Sequence, residues 1–194
     1  MTAETQDRRG LILASAAEMF ARKGIGATTV REIADAVGVL SGSLYHHFES
    51  KDAIVEEILS GYLDAIQARY AEVLQSGESP AQCLHDLVLT SLQVANEQPY
   101  ATAIYQNELH YLREQERFTD VLAGAGNVQR TWLKVIEQGV ADGAFRDDID
   151  PRVFYRLIRD AVWLSVRWHN REPVGQLAEE ITSIFLDGFA AARS

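Results

Sequence analysis

Residues 28–51 read TTVREIADAVGVLSGSLYHHFESK, and the fold follows from how this stretch divides. Thr29 with Glu32 three residues later forms a capping box, in which each side chain meets the other's backbone N–H. Behind it, Val30, Ile33, Ala34 and Val37 recur at helical spacing. Gly38 ends that helix: lacking a Cβ, it takes the left-handed conformation that reverses a chain within about three or four residues. A second short helix follows at once. Val39, Leu44 and Phe48 pin it to the first helix, and Ser41, Gly42, Ser43, Tyr45, His46 and His47 are left facing outward. Two short helices at a glycine turn, the second with a face of small hydroxyls and flat polar rings, predict a helix-turn-helix unit that reads DNA.

Working outward, residues 7–23 place Ile12, Ala16, Met19 and Phe20 on one face and are closed by Gly24 and Gly26. That helix buttresses the pair and completes a three-helix head. A long pattern from Lys51 runs through Ala53, Ile54, Ile58, Leu59, Tyr62, Ile66, Tyr70 and Leu74 to a break at 76–80. Further helices are expected at about 80–97, 99–112, 115–141, 150–169 and 174–192. The four prolines, at 80, 99, 151 and 173, each fall where a helical pattern restarts. No alternating pattern of useful length occurs, so the expected fold is all-α, with about nine helices.

Composition narrows the class. A chain of 194 residues that is 47% hydrophobic can bury a real core. Its single cysteine, Cys83, allows no intrachain disulfide framework and no zinc cluster, which suits a reducing cytoplasmic setting. The first ten residues lack the basic flank and apolar run of a secretion signal, and no apolar run approaches membrane-spanning length, so no membrane partner is expected. The net charge of −10 argues at first against nucleic acid. Residues 1–51, however, hold six Lys or Arg and six Asp or Glu, so residues 52–194 carry the whole excess. An acidic body turns the neutral end, with its local Arg and Lys groups, toward phosphate. There is no G-x-S-x-G, H-E-x-x-H, C-x-x-C or phosphate-binding loop, so neither an enzyme nor a bound cofactor is expected. His46 and His47 are adjacent and point to different helix faces, which argues against a metal site. A helical ligand-binding or protein-interaction module without DNA binding is the rival reading.

Over residues 10–55 the chain resembles the TetR family of bacterial transcriptional regulators. The resemblance is carried by Gly24, Thr28, Thr29, Val30, Ile33, Ala34, Val39, Gly42, Ser43, Leu44, Tyr45, His47, Phe48, Ser50 and Lys51. It implies a DNA-binding domain at 1–51, a ligand-binding and dimerisation domain at 52–194, and a reading helix near 41–47 whose operator is released when a small molecule binds. By matching positions, Ser43, Tyr45, His46 and Ser41 are assigned to the groove, and Thr28, Thr29, His47 and Lys51 to phosphates. The chain departs from the family pattern at Leu40 and Ser41, where relatives often carry a capping serine and then a lysine. More loosely, LSGSLYHHF and WLSVRWHNREP look like segments of actinobacterial TetR-type repressors of steroid (cholesterol) ring degradation. That likeness implies a CoA thioester of a steroid-ring fragment as effector.

At the effector end, Arg159, Trp163 and Arg167 stand at i, i+4 and i+8 and share one helix stripe. Two arginines flanking an indole can hold a phosphorylated, aromatic-bearing anion such as an acyl-CoA thioester. The stripe can equally pair with carboxylates across a dimer interface, and both readings stay open here. Candidates for the apolar wall of the pocket are Tyr62, Ile66, Tyr100, Tyr105, Tyr111, Trp132 and Ile136. The last two helices carry broad apolar faces: Phe154, Leu157, Ile158, Ala161, Val162, Ser165 and Trp168 on one, Leu177, Ile181, Ile184, Phe185 and Phe189 on the other. Pairing these with their copies across a twofold axis gives a homodimer with a four-helix interface, and a palindromic operator follows.

Overall fold

A computed structural model describes residues 3–165 and 173–188, with side chains from Arg8 onward. Arg167, Trp168 and Phe189 of the expected sites lie outside the described residues. Among those described, there are ten α-helices and one 3₁₀ turn, and no strand. The helices are α1 (Ala3–Lys23), α2 (Val30–Ala36), α3 (Ser41–Leu44), α4 (Lys51–Gln75), α5 (Pro80–Glu97), α6 (Pro99–Asn107), α7 (Leu109–Arg113), α8 (Thr119–Ala141), α9 (Pro151–Ser165) and α10 (Val174–Asp187). None is long and apolar enough to cross a membrane. Pro80, Pro99 and Pro151 each open a helix, the position whose N–H has no intrahelical partner, and Pro173 is the cap of α10.

The expected helix at 99–112 is two helices, and the one at 115–141 begins with a 3₁₀ turn, Glu116–Phe118. The first break is at Glu108, whose backbone moves to φ −105°, ψ 14°. No glycine or proline marks it. The reorientation lets Leu112 bury and lets Tyr111 donate to Asp52 Oδ1 at 2.6 Å, contacts that local composition does not encode.

The chain forms two compact units. The first comprises Met1–Asp64 with Gln98–Ala125. Here α1 packs on α2 and α6, and α2 on α3, and the buried set includes Ile12, Ala16, Phe20, Ile33, Leu44, Phe48 and Ile104. The second comprises Ala65–Glu97 with Gly126–Ser194, in which α5, α9 and α10 pack on one another around Leu84, Leu87, Val88, Ile158, Val162 and Ala178.

At the end of α8, the Gly139 carbonyl accepts from the N–H groups of Ala144 and Phe145, and the Phe145 ring folds back onto the glycine. A methyl at Gly139 would sit 2.9 Å from Phe145 Cγ and closer still to Cδ2 and Cε2. Gly139→Ala is therefore expected to destabilise the protein by about 1–3 kcal/mol, although alanine is the better helix former by about 1 kcal/mol. A lower urea midpoint at fixed protein concentration is the measurement; an unchanged or raised midpoint would show that Phe145 yields freely.

Candidate nucleic-acid interface

The helix pair forms as its local sequence dictates. Thr29 is the N-cap of α2: its hydroxyl accepts from the Glu32 N–H at 3.3 Å, while Glu32 Oε2 accepts from the Thr29 N–H at 2.8 Å. Lys23 also donates to Glu32, and these donors hold its carboxyl down at about 2, against an ordinary 4.5. Gly38 takes φ +70°, and the Val39 N–H reaches back to the Ala34 carbonyl at 3.0 Å, the long bond of a Schellman turn. The α3 helix follows immediately.

Only Leu44 of α3 is buried within that helix, with Phe48 buried just beyond it. Those two anchors turn the opposite side to solvent. Ser43, Tyr45 and His46 are exposed, Tyr45 by 54%, and Ser41 and His47 are half-buried. A hydroxyl, a phenol and an imidazole thus stand together on one projecting turn. Such groups donate to or accept from base edges and phosphate oxygens at modest desolvation cost. Leu40, the residue before the helix, is 80% exposed and offers no side-chain cap.

The phosphate set is placed differently. Thr28 is 2% exposed, and its hydroxyl donates to the Gly24 carbonyl at 2.8 Å. Lys51 Nζ donates to the carbonyls of Ile25 and Thr28 at 2.7 and 3.0 Å, so it closes the loop between α1 and α2. Thr29 is exposed but engaged in its capping box. The His47 carbonyl accepts from Arg9, a residue that sequence reasoning assigned no role. The signal for Arg9 was its register: it stands three, seven and eleven residues before Ile12, Ala16 and Phe20, on the buried face of α1.

The effector set is distributed over both units. In the first, Tyr62 is buried and its ring lies 5.6 Å from that of Tyr105; Tyr111 is half-buried and Tyr100 is exposed. Burial, and the hydrogen bond to Asp52, raise the Tyr111 hydroxyl. In the second, Ile66, Trp132, Ile136 and Trp163 are buried. Arg159 is half-exposed: it donates to Asp160 at 2.9 and 2.6 Å and lies 5.7 Å from the Tyr155 ring. Burial raises the Tyr155 hydroxyl, and the Arg159 charge opposes the shift.

Residues expected at a dimer interface occupy both faces of α9. Ile158, Val162 and Ser165, with Ile181 of α10, turn into their own unit, whereas Leu157 and Ile184 face out, 59% and 52% exposed. Phe154, Ala161, Leu177 and Phe185 are half-buried. Val153 and Leu164, absent from the expected set, complete the outward stripe at 153, 157 and 164. A cavity of about 640 Å³ in the second unit is lined by Ile136, Phe145, Phe154, Leu157, Ile184 and Phe185 among others.

Comparison with known proteins places this geometry. The family model for bacterial regulatory proteins of the tetR family matches residues 12–58, and that for the tetracyclin repressor-like C-terminal domain matches residues 77–189. The HTH-type transcriptional repressor KstR2 of Rhodococcus jostii (strain RHA1) is 44% identical over 98% of this chain and 95% of its own length. The solved structure of the ketosteroid transcriptional regulator KstR2 of Mycobacterium tuberculosis is 41% identical, superposes with a TM-score of 0.86, and is matched over 93% of this chain and 94% of that one. AibR, solved in complex with isovaleryl coenzyme A and operator DNA, is 20% identical and shares the fold with a TM-score of 0.81, over 94% of this chain and all of that one.

Proposed function

Because the chain belongs to the tetR family of bacterial regulatory proteins, a family of transcriptional regulators and not of enzymes, we propose that it represses genes of steroid-ring breakdown and releases its operator on binding a steroid-derived acyl-CoA thioester. Residues 1–51 are the reading domain and residues 52–194 the effector and dimerisation domain. The observation that carries the reading is the projecting turn of Ser43, Tyr45 and His46, held out by buried Leu44 and Phe48. Ser41 and His47 flank that turn, and Thr29 and Lys51 bound the unit on its phosphate side. Thr28 contributes from beneath, by holding the Gly24 carbonyl.

A homodimer pairs Val153, Leu157 and Leu164 of α9 and Ile184 of α10 with their copies, because these are apolar side chains that the single chain leaves to water. A twofold axis then sets two reading turns roughly 34–36 Å apart, or a multiple of that, on a palindromic site. The nature of the effector is supported by the 44% identity to KstR2 and by the i, i+4 placement of Arg159 and Trp163 on α9. The fold accommodates an acyl-CoA in AibR.

The test begins with a duplex selected from randomised DNA by the full-length protein. Titrating the complex with the CoA thioester of a steroid-ring acid should release the DNA, while the free acid at equal concentration should not. Arg159→Gln should raise the thioester concentration needed for half-release by about tenfold, the loss of one charge-assisted hydrogen bond. Equal release by free acid and thioester would refute the CoA assignment, and failure of selection to return a palindrome would refute the dimeric repressor.

A further inference from the structure

Arg9, half-buried on α1, reaches the C-terminal end of the reading turn and the buried ring that anchors it. Its Nε donates to Glu57 Oε1 at 3.0 Å, its Nη2 pairs with Glu57 Oε2, and its Nη1 donates to the His47 carbonyl. The guanidinium carbon also lies 4.0 Å from the centroid of the Phe48 ring. One planar group therefore grips a carboxylate of α4, the last carbonyl of the reading turn and the aromatic that anchors it. Only the arginine fork supplies parallel donors to a carboxylate, a further donor to a carbonyl and a flat face to a ring.

The need for such a grip follows from α3 itself. It has four residues, far below the length at which a helix is stable alone. Its N-terminus has no side-chain cap, since Leu40 stands at that position. The chain beyond Leu44 continues as a turn, with the N–H groups of His46, His47 and Phe48 bonded to the Ser43 and Leu44 carbonyls. The carbonyls at such an end lack helical partners, and Arg9 satisfies one of them. With the front of the helix uncapped, its tilt and rotation are set from the rear, by buried Leu44 and Phe48 and by this guanidinium.

We propose that Arg9 is a positioning residue for DNA recognition: it holds the uncapped reading helix by its C-terminal end and so aims Tyr45 and His46, without itself touching DNA. The proposal rests on the DNA-reading role given above to that turn. A direct phosphate contact by Arg9 is the competing account, and the two differ in what salt and capping do. A positioning residue leaves the number of neutralised phosphates unchanged, so the slope of log affinity against log salt is preserved. A lost phosphate contact lowers that slope by roughly one per head.

The experiment measures affinity of the full-length dimer for its selected duplex across a salt series, for the unsubstituted protein, Arg9→Met, Arg9→Lys, Leu40→Ser, the Arg9→Met/Leu40→Ser pair and Tyr45→Ala. Both Arg9 variants should lose about tenfold to a hundredfold in affinity, lysine included, because an ammonium cannot span Glu57, the His47 carbonyl and the Phe48 face together. The salt slope should stay put. Leu40→Ser supplies the missing cap at an exposed position whose backbone, φ −73° and ψ 145°, suits an N-cap. It should restore part of the affinity lost in Arg9→Met. Full affinity in Arg9→Lys, a reduced salt slope, or no recovery with Leu40→Ser would each overturn the proposal. Should Arg9→Met fail to fold, Arg9→Lys carries the comparison. If Tyr45→Ala also binds normally, the DNA-reading assignment itself is wrong, an outcome distinct from normal binding by the Arg9 variants alone.

Discussion

Replacing Trp132 with alanine is expected to cost about 3–5 kcal/mol of stability, the range for removing a large aromatic from a packed interior. The indole is 1% exposed. Its ring meets Tyr70 edge-on at 6.3 Å and Tyr155 at 6.2 Å, both within the second unit. It also heads a buried chain of polar groups. Trp132 Nε1 donates to the Tyr70 oxygen at 3.0 Å, the Tyr70 hydroxyl meets Ser91 Oγ, and Ser91 Oγ donates to the Leu87 carbonyl at 2.6 Å. Because the serine proton is committed to Leu87, the tyrosine proton goes to the serine, and one direction of donation runs from indole to carbonyl.

Trp132→Phe separates the two contributions. It keeps most of the ring volume and removes only the first donor, so it should cost about 1–2 kcal/mol, the worth of one buried hydrogen bond and a small packing defect. Tyr70→Phe should cost more than that, about 2–4 kcal/mol, since it strands both a buried indole N–H and an acceptor on Ser91. Urea unfolding of each variant at one protein concentration gives the comparison, a necessary control where folding and dimerisation are linked. A Trp132→Ala loss no larger than that of Trp132→Phe would mean that the surrounding side chains collapse into the space.

The sequence was most legible where a local rule acts alone. The Thr29–Glu32 capping box, the reversal at Gly38 and the prolines that open α5, α6 and α9 are settled within a few residues, and the structure reproduces each of them. Exposure on α3 was legible too, because the apolar spacing of Leu44 and Phe48 leaves only one side for Ser43, Tyr45 and His46. What escaped was set at long range. The break at Glu108 serves a contact between residues 111 and 52, which nothing near position 108 announces. Lys51 reads as a helix-opening cation, yet its ammonium meets carbonyls some 25 residues earlier in the chain. Arg9 reads as one of the cations of the neutral N-terminal end, but its partners are 38 and 48 residues away. On α9, the amphipathic pattern identifies apolar positions without saying whether a given one meets its own chain or another. Leu157 and Ile158 are neighbours in sequence, and one is largely exposed while the other is fully buried.

The largest effect on function is expected at Tyr45. Its ring is over half exposed, and it lies between the exposed Ser43 and His46. Tyr45→Ala should therefore leave the unfolding midpoint within the small range of surface substitutions, about 0.5 kcal/mol. Its effect on DNA should be far larger. A good contact to a base edge is worth about 1–3 kcal/mol of discrimination, and the phenol in the groove is given such a contact. In a twofold dimer the substitution is made in both heads, and contacts at separated half-sites add. The dimer then loses about 2–6 kcal/mol, which corresponds to roughly thirtyfold to ten-thousandfold in operator affinity. Binding to random duplex should fall less, because nonspecific affinity comes from the sum of phosphate contacts rather than from one aimed turn. Gel-shift titrations of the same variant on selected and random duplexes check both statements. A loss shared equally by the two duplexes would assign Tyr45 to the backbone and leave base reading to Ser43 and His46; no loss on either would remove this turn from the DNA-binding surface.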